Sequence, residues 1–504
     1  MKGSRIAITT FALITGFSDA VPTATVELSI PPKPPAGHLT VDANYQSYSI
    51  EFSYMNDYAG NNTHPNKFSH ELLQNLEDIS GALPIIRAGG TTSNRATYYP
   101  NQTDGVILIY NHGTWEDQPD AMSIGPNWHQ SFRQFPKGTK YIYNLNFYDG
   151  QAGLKQTVLE ASAAWDALGE SIYAFEIGNE PNGWAGTSRR PANWTRQDYV
   201  AQWKQFAKAI AANTSLPEPR FQGCAFTAPR NLSRSPVVWN VANVLQDGLA
   251  EGGYLATVAD HDYMGANQAP LPTLAKNLLD HFHMTSLFRY HEALGNQTKA
   301  LGIDYVIGET NSISKQGTAN VSDVFGAALW GIDYVLYSAG TNVSRMYFHM
   351  GTPYRYSAWQ PIIINGTAPF AKPLYYGNLF TAKALAGGNK QVVGLVNTTS
   401  LTAYGIYSTS KLESVAVVNL EEFNATMSVS RRNRTVFRLP SSAGDWSKAT
   451  VRRLTAPGVD TKENITFAGQ HVDASGRIVG TEKTEGVLED KVSVTAGEAV
   501  LISL

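Results

Sequence analysis

The chain has 504 residues, of which 43% are hydrophobic, 11% aromatic and 16% charged, with a formal net charge of −3. A chain this long and this apolar buries a large core and is neither disordered nor fibrous. Lys plus Arg number 39 against 42 Asp plus Glu, so no basic excess neutralises phosphates and no nucleic-acid partner is expected.

The N-terminus reads as an address. Lys2 and Arg5 lead a mostly apolar run from Ile6 to Phe17, and Ser18-Asp19-Ala20 supplies small residues for cleavage. This pattern predicts a secretory signal over residues 1–20 and a secreted, extracellular protein. The run is shorter than a membrane span and none of that length follows, so no membrane partner is expected. Thirteen Asn-x-Ser/Thr sequons, from Asn61 to Asn464, predict N-glycans on surface loops. Cys224 is the sole cysteine, which excludes an intrachain disulfide, and its apolar setting marks a buried hydrophobe rather than a nucleophile.

Residues 21–44 hold an alternating segment, Ala24 to Ile30, and the stiff Pro31-Pro32-Lys33-Pro34-Pro35. They read as a strand that joins a later β domain, followed by an extended connector. Over residues 45–385 short apolar strands alternate with helical stretches. Eight strands are expected, at 48–52, 85–87, 141–145, 172–177, 221–226, 257–261, 305–307 and 345–349. Between them, 196–212 puts Tyr199, Trp203, Phe206 and Ile210 on one helical face, with Thr195 as N-cap. Eight such units predict an α/β fold, a catalytic (β/α)8 TIM barrel. The Gly-x-Gly-x-x-Gly turn of a doubly wound sheet does not follow the first strand. Residues 386–504 change texture to short strands between turns, at 401–407, 414–420, 435–439, 451–454 and 499–504, which predict a C-terminal β-sandwich.

Chemistry concentrates where the fourth strand ends, in Phe175-Glu176-Ile177-Gly178-Asn179-Glu180-Pro181-Asn182. Barrel enzymes present their active sites at such strand ends. Alternation, if it continues that far, puts Ala174, Glu176, Gly178 and Glu180 on one face, and Pro181 ends regular pairing. A second apolar strand ends in Gly308-Glu309-Thr310. Glu180 and Glu309 lie 129 positions apart, close to the about 127 expected of three βα units in such a barrel. Both then sit at one mouth, where carboxylates about 5 Å apart have the spacing of retaining glycosidases.

Asn179-Glu180-Pro181 together with Glu309 resembles the clan of retaining (β/α)8-barrel glycoside hydrolases. With Arg87-Ala88-Gly89-Gly90-Thr91 and His261-Asp262-Tyr263, the chain is similar to glycoside hydrolase family 79, which includes β-glucuronidases and heparanases. The resemblance implies Glu180 as general acid/base and Glu309 as nucleophile. It also implies an exo-β-glucuronidase that releases terminal glucuronate, 4-O-methylated or not, by double displacement from a carbohydrate substrate with no cofactor. Glu51 matches a sugar-contacting carboxylate of the family, with a solvated surface acid as the alternative. Tyr356, in the loop Gly351-Thr352-Pro353-Tyr354-Arg355-Tyr356, lies near where the family places a tyrosine for the substrate carboxylate, and that loop also offers a guanidinium.

Asn179 can meet the sugar 2-hydroxyl or simply cap its turn, and Tyr263 can orient Glu309 or be an ordinary buried tyrosine. Glu176 pairs with Arg87 inside the barrel on this reading, while Trp115, Trp184 and Trp359 either stack on sugars or fill the core. No His-Glu-x-x-His accompanies His261, His281, His283 or His291, so no metal site is expected. The Arg431-Arg432-Asn433-Arg434 cluster reads as a solvated turn. Two rival functions stand beside the exo-glucuronidase: an endo-acting heparanase- or hyaluronidase-like enzyme, and a non-catalytic carbohydrate-binding glycoprotein.

Overall fold

The computed structural model describes residues 23–111, 118–214, 216, 220–235 and 237–504. The signal over residues 1–20 and Trp115 lie outside them. Eight strands build the centre: β1 (Gln46–Glu51), β2 (Ile86–Gly89), β3 (Tyr141–Leu145), β4 (Ile172–Ile177), β5 (Phe221–Thr227), β6 (Leu255–Tyr263), β7 (Asp304–Asn311) and β8 (Arg345–Met350). Each pairs in parallel with its sequence neighbours, and β8 returns to β1 through Met346 opposite Gln46, which closes a barrel.

The two-residue period of the strands stacks this barrel in layers. Ile85, Ile142, Ala174, Ala259, Val306 and Tyr347 form an apolar floor. Two residues further along the same strands stand Arg87, Asn144, Glu176, His261, Gly308 and His349. A polar layer therefore sits directly on an apolar one, toward the C-terminal mouth. Helices shield the outside. Arg196–Thr214 buries Tyr199, Trp203, Phe206 and Ile210 on one stripe. Its start is a reciprocal cap: Thr195 Oγ1 accepts from the Asp198 N–H at 3.2 Å, while Asp198 Oδ2 accepts from the Thr195 N–H at 2.8 Å.

The C-terminal region is a sandwich of two sheets. The larger runs in the order β9 (Lys390–Asn397), β10 (Leu401–Ser408), β11 (Lys411–Asn419), Glu498–Ser503, Thr450–Thr455 and Thr466–Phe467. The smaller joins the N-terminal strand Thr23–Glu27, in parallel, to Arg434–Arg438, which pairs antiparallel with Lys491–Thr495. Alternation on β11 assigns its faces: Val415 and Val417 pack into the sandwich with Phe437, Val492 and Val494, whereas Ala416 and Val418 join the barrel's core. The continuous run Val415-Ala416-Val417-Val418 is thus a strand buried on both sides. Tyr404 and His281 clamp this joint through Asp333, with contacts of 2.6 and 2.7 Å. Among the described residues no helix is long and apolar enough to cross a membrane.

Candidate active site

β4 ends at Ile177, earlier than an unbroken alternation through Glu180 requires. Glu180 reaches the barrel mouth by a turn instead. Gly178 takes φ +82°, and a Cβ there would meet Phe147 Cβ at 3.0 Å. Glu180 itself is left-handed, at φ 54° and ψ 44°, a strained conformation for a side-chain-bearing residue and a common mark of functional sites. Its N–H is held at 2.9 Å by the Ala225 carbonyl. Cys224 and Ala225 themselves have positive φ, where β5 bulges against β6.

Glu309 arrives on β7 just past a bulge, since Ile307 stands opposite Asp260 and Glu309 opposite His261 with Gly308 unpaired between them, and it is pinned at both oxygens. Arg87 Nη1 donates to Oε2 at 2.9 Å and the Tyr263 hydroxyl donates to Oε1 at 2.8 Å. His261 Nδ1 hydrogen-bonds Glu180 Oε1 at 2.9 Å and lies 3.9 Å from Glu309 Oε1, so one imidazole links the two carboxylates. Oxygens of Glu180 and Glu309 and the His261 nitrogen all fall within 4.8 Å of one another. The two glutamates differ in exposure: the Glu180 side chain is 32% exposed and that of Glu309 only 9%.

Burial alone would raise the Glu309 carboxyl. The positive fields of His349, His261 and Arg87 and the Tyr263 hydroxyl outweigh it and hold Glu309 well below the ordinary carboxylate range. Arg87 organises this layer. Fully buried, it also donates to Ser49 Oγ at 2.9 Å and Asn179 Oδ1 at 2.8 Å, and forms an ion pair with Glu176 at 2.7 Å. Asn179 is fixed further by Asn94, which accepts from its N–H and donates to its carbonyl. With Oδ1 occupied by Arg87, the Asn179 amide nitrogen is the end left to donate.

These groups open onto a cavity of ≈ 590 Å³ that Glu51, Glu180, His261, Tyr263, Glu309 and Tyr356 help to line. Glu51 is not a surface acid. It is buried, with Thr92 donating its N–H and hydroxyl to Oε1 at 2.8 and 2.6 Å and His349 Nε2 lying 3.3 Å from Oε2. Gly90, at φ +107°, permits this, since a Cβ there would sit 2.7 Å from the Glu51 oxygens. Tyr356 packs tilted against Tyr263 at 6.1 Å. The loop's guanidinium is turned away: Arg355 Nη1 reaches the Gly317 carbonyl at 3.4 Å and does not line the cavity.

Two of the tryptophans belong to the core. Trp184 is buried against Trp194 and Phe147, and Trp359 against Tyr48 and Tyr58. Cys224 is also buried, which pushes its thiol up and away from thiolate chemistry. A larger cleft of ≈ 830 Å³ lies at the N-terminal end of β3, but Glu71 is its sole acid, so paired-carboxylate chemistry has no place there. As a metal site, the Glu180–His261–Glu309 cluster is poor. Arg87 and Tyr263 already occupy both Glu309 oxygens, and the guanidinium repels a cation.

Sequence reasoning missed Arg87, His261 and His349 as partners of the two glutamates. The available signal was register, because each stands two residues above an apolar floor residue of its strand.

A β-glucuronidase of Aspergillus niger is 33% identical to this protein, over 91% of this chain and 87% of that one. The chain belongs to glycoside hydrolase family 79. A second family relative, a β-glucuronidase of Neurospora crassa, is 33% identical over 84% of each chain. Residues 403–501 match the glycosyl hydrolase family 79 C-terminal beta domain. Among solved structures, a 4-O-α-L-rhamnosyl-β-D-glucuronidase of Fusarium oxysporum superposes with a TM-score of 0.80 at 26% identity, over 95% of this chain and 100% of that one.

Proposed function

We propose that this family 79 protein is a retaining exo-β-glucuronidase with Glu180 as acid/base and Glu309 as nucleophile. The observation that carries this reading is the convergence of one ionised, pinned carboxylate and one partly exposed carboxylate within 4.8 Å at the barrel mouth. That spacing suits direct attack on the anomeric carbon rather than attack through an intervening water. The family relatives' activity on β-glucuronides supports the choice of sugar.

In the first half-reaction Glu309 attacks C1 as protonated Glu180 gives its proton to the departing glycosidic oxygen. The C1–O bond breaks and a glycosyl ester on Glu309 forms. Esterification removes the Glu309 charge, and ionised Glu180 then takes a proton from water as that water attacks C1, which frees Glu309. Asn179 donates to the sugar 2-hydroxyl through the amide end that Arg87 leaves open. Tyr263 and Arg87 keep Glu309 aimed and ionised.

Exo action is supported by the cavity's far wall, where Glu51, His349 and Tyr354 stand together. Tyr356 is the proposed partner of the substrate's C5 carboxylate, and secretion with N-glycosylation belongs to the same reading. The test is hydrolysis of 4-nitrophenyl β-D-glucuronide beside the β-glucoside, with the anomer released first identified by proton NMR. The β-glucuronide alone is expected to react, giving the β anomer first. Preference for the glucoside, or the α anomer first, overturns the reading.

A further inference from the structure

We infer that Gln118 decides whether the enzyme admits a substituent on the glucuronate C4 oxygen, an inference that rests on the β-glucuronidase reading above. Glu180 and Glu309 fix where C1 lies, and the leaving group departs on the Glu180 side, where Thr227, Ala228 and Arg230 line the cavity. C4 stands directly across a pyranose ring from C1. It therefore faces the opposite wall, built from Glu51, His349, Tyr354 and Gln118.

Most of that wall is immobile. Glu51 is locked by Thr92 and by β1. Tyr354 is buried between Tyr54 and Tyr356, with its carbonyl held by Lys372 Nζ at 2.7 Å. Gln118 is different. It arrives between two short strands outside the barrel, Val106–Ile109 and Ala121–Ile124, and is only partly buried. Its side-chain nitrogen bridges the wall, donating to the Tyr354 hydroxyl at 2.6 Å and to Glu51 Oε2 at 3.2 Å, beside a longer contact of 3.5 Å from the Tyr354 hydroxyl to Glu51 Oε2.

A free 4-hydroxyl fits this arrangement, since it donates to the Gln118 carbonyl oxygen while the amide nitrogen keeps its bridge. A 4-O-substituent brings no proton and claims the space of the amide, so Gln118 must leave both partners before the sugar seats. Its departure does not strip the wall, because Glu51 Oε2 retains His349 Nε2 and Oε1 retains Thr92. Gln118 is thus a specificity residue that acts on binding, not on bond cleavage.

The experiment measures kcat/KM for 4-nitrophenyl β-D-glucuronide and for its 4-O-methyl derivative on the unaltered protein, Gln118→Ala and Gln118→Asn. The ratio of the two constants within one sample is independent of the fraction of protein folded. In Gln118→Ala the ratio of methylated to unsubstituted substrate rises by about tenfold or more, mostly through KM. Gln118→Asn, one methylene too short to span both partners, falls between. An unchanged ratio in an active Gln118→Ala enzyme overturns the inference alone. Failure of the unaltered protein to cleave either glucuronide overturns the functional reading and the inference with it.

Discussion

Arg87 does two separable things, and a pair of variants divides them. The side chain is completely buried and neutralises Glu176, itself buried, through contacts of 2.7 and 2.8 Å. It also holds Glu309 and Asn179. Arg87→Met leaves the Glu176 charge buried with only the neutral donors Asn144 and Gln222. Stranding one member of a buried ion pair costs about 3–5 kcal/mol. In Arg87→Met/Glu176→Gln the buried Glu176 charge is gone, and the single amide oxygen keeps one of those two donors while the amide nitrogen faces the other, so part of that loss returns, about 1–3 kcal/mol. Turnover behaves otherwise. Glu309 and Asn179 lack their donor in both variants, and a lost hydrogen bond to a charged group is worth about 1.5–3 kcal/mol, or about ten- to a hundredfold in kcat. Thermal unfolding and 4-nitrophenyl β-D-glucuronide hydrolysis, measured on both proteins, read the two roles. A double variant as unstable as the single one, or one that regains full turnover, refutes this division.

Tyr263→Phe keeps the ring packed on Tyr356 and deletes the hydroxyl, which donates to Glu309 at 2.8 Å and also meets the Tyr356 hydroxyl. It should lower kcat by about ten- to a hundredfold with little change in unfolding temperature, and a variant with unchanged kcat contradicts the role. Glu160, buried behind β3, has its carboxyl pushed up to about 8 by burial, against a modest opposing contribution from the Tyr143 hydroxyl. Because the folded-state value exceeds the unfolded one, its stability contribution is complete below about pH 4.5 and is lost as the pH rises to about 8. Glu160→Gln, which keeps an acceptor for Tyr143, removes that loss. Relative to the unaltered protein it should gain up to about 4 kcal/mol between pH 5 and pH 8, at about 1.4 kcal/mol per pH unit. A stability difference that does not vary with pH contradicts it.

The barrel was legible because its strands are short apolar runs at nearly even spacing, and the observed strands overlap all eight expected segments. Alternation failed locally at Glu180. A two-residue period cannot foresee a left-handed residue after a glycine, nor that the bulge at Cys224 and Ala225 would capture the Glu180 N–H. In the sandwich, β9 and Lys491–Thr495 escaped notice. The burial of β9 is irregular around Gly394, and charged or hydroxyl residues separate the buried valines Val492 and Val494.

The two glutamates were visible as strand-end acids at barrel spacing. Their partners were not, because Arg87, His261 and His349 come from β2, β6 and β8 and meet only when the barrel closes. Trp184 and Trp359 show the opposite limit. Residue type alone does not separate a sugar platform from core, and here the surrounding aromatic rings decide it.

The central assertion is that Glu309 becomes covalently attached to the sugar. A β-glucuronide bearing fluorine at C2 and a fast leaving group forms such an ester quickly and hydrolyses it slowly, so the attachment survives proteolysis and peptide mass spectrometry. The account predicts one equivalent of fluoroglucuronosyl on the peptide containing Glu309, with none on Glu180 and none in Glu309→Gln. Attachment to Glu180, or full turnover of that substrate with an inverted product and no labelled peptide, contradicts it.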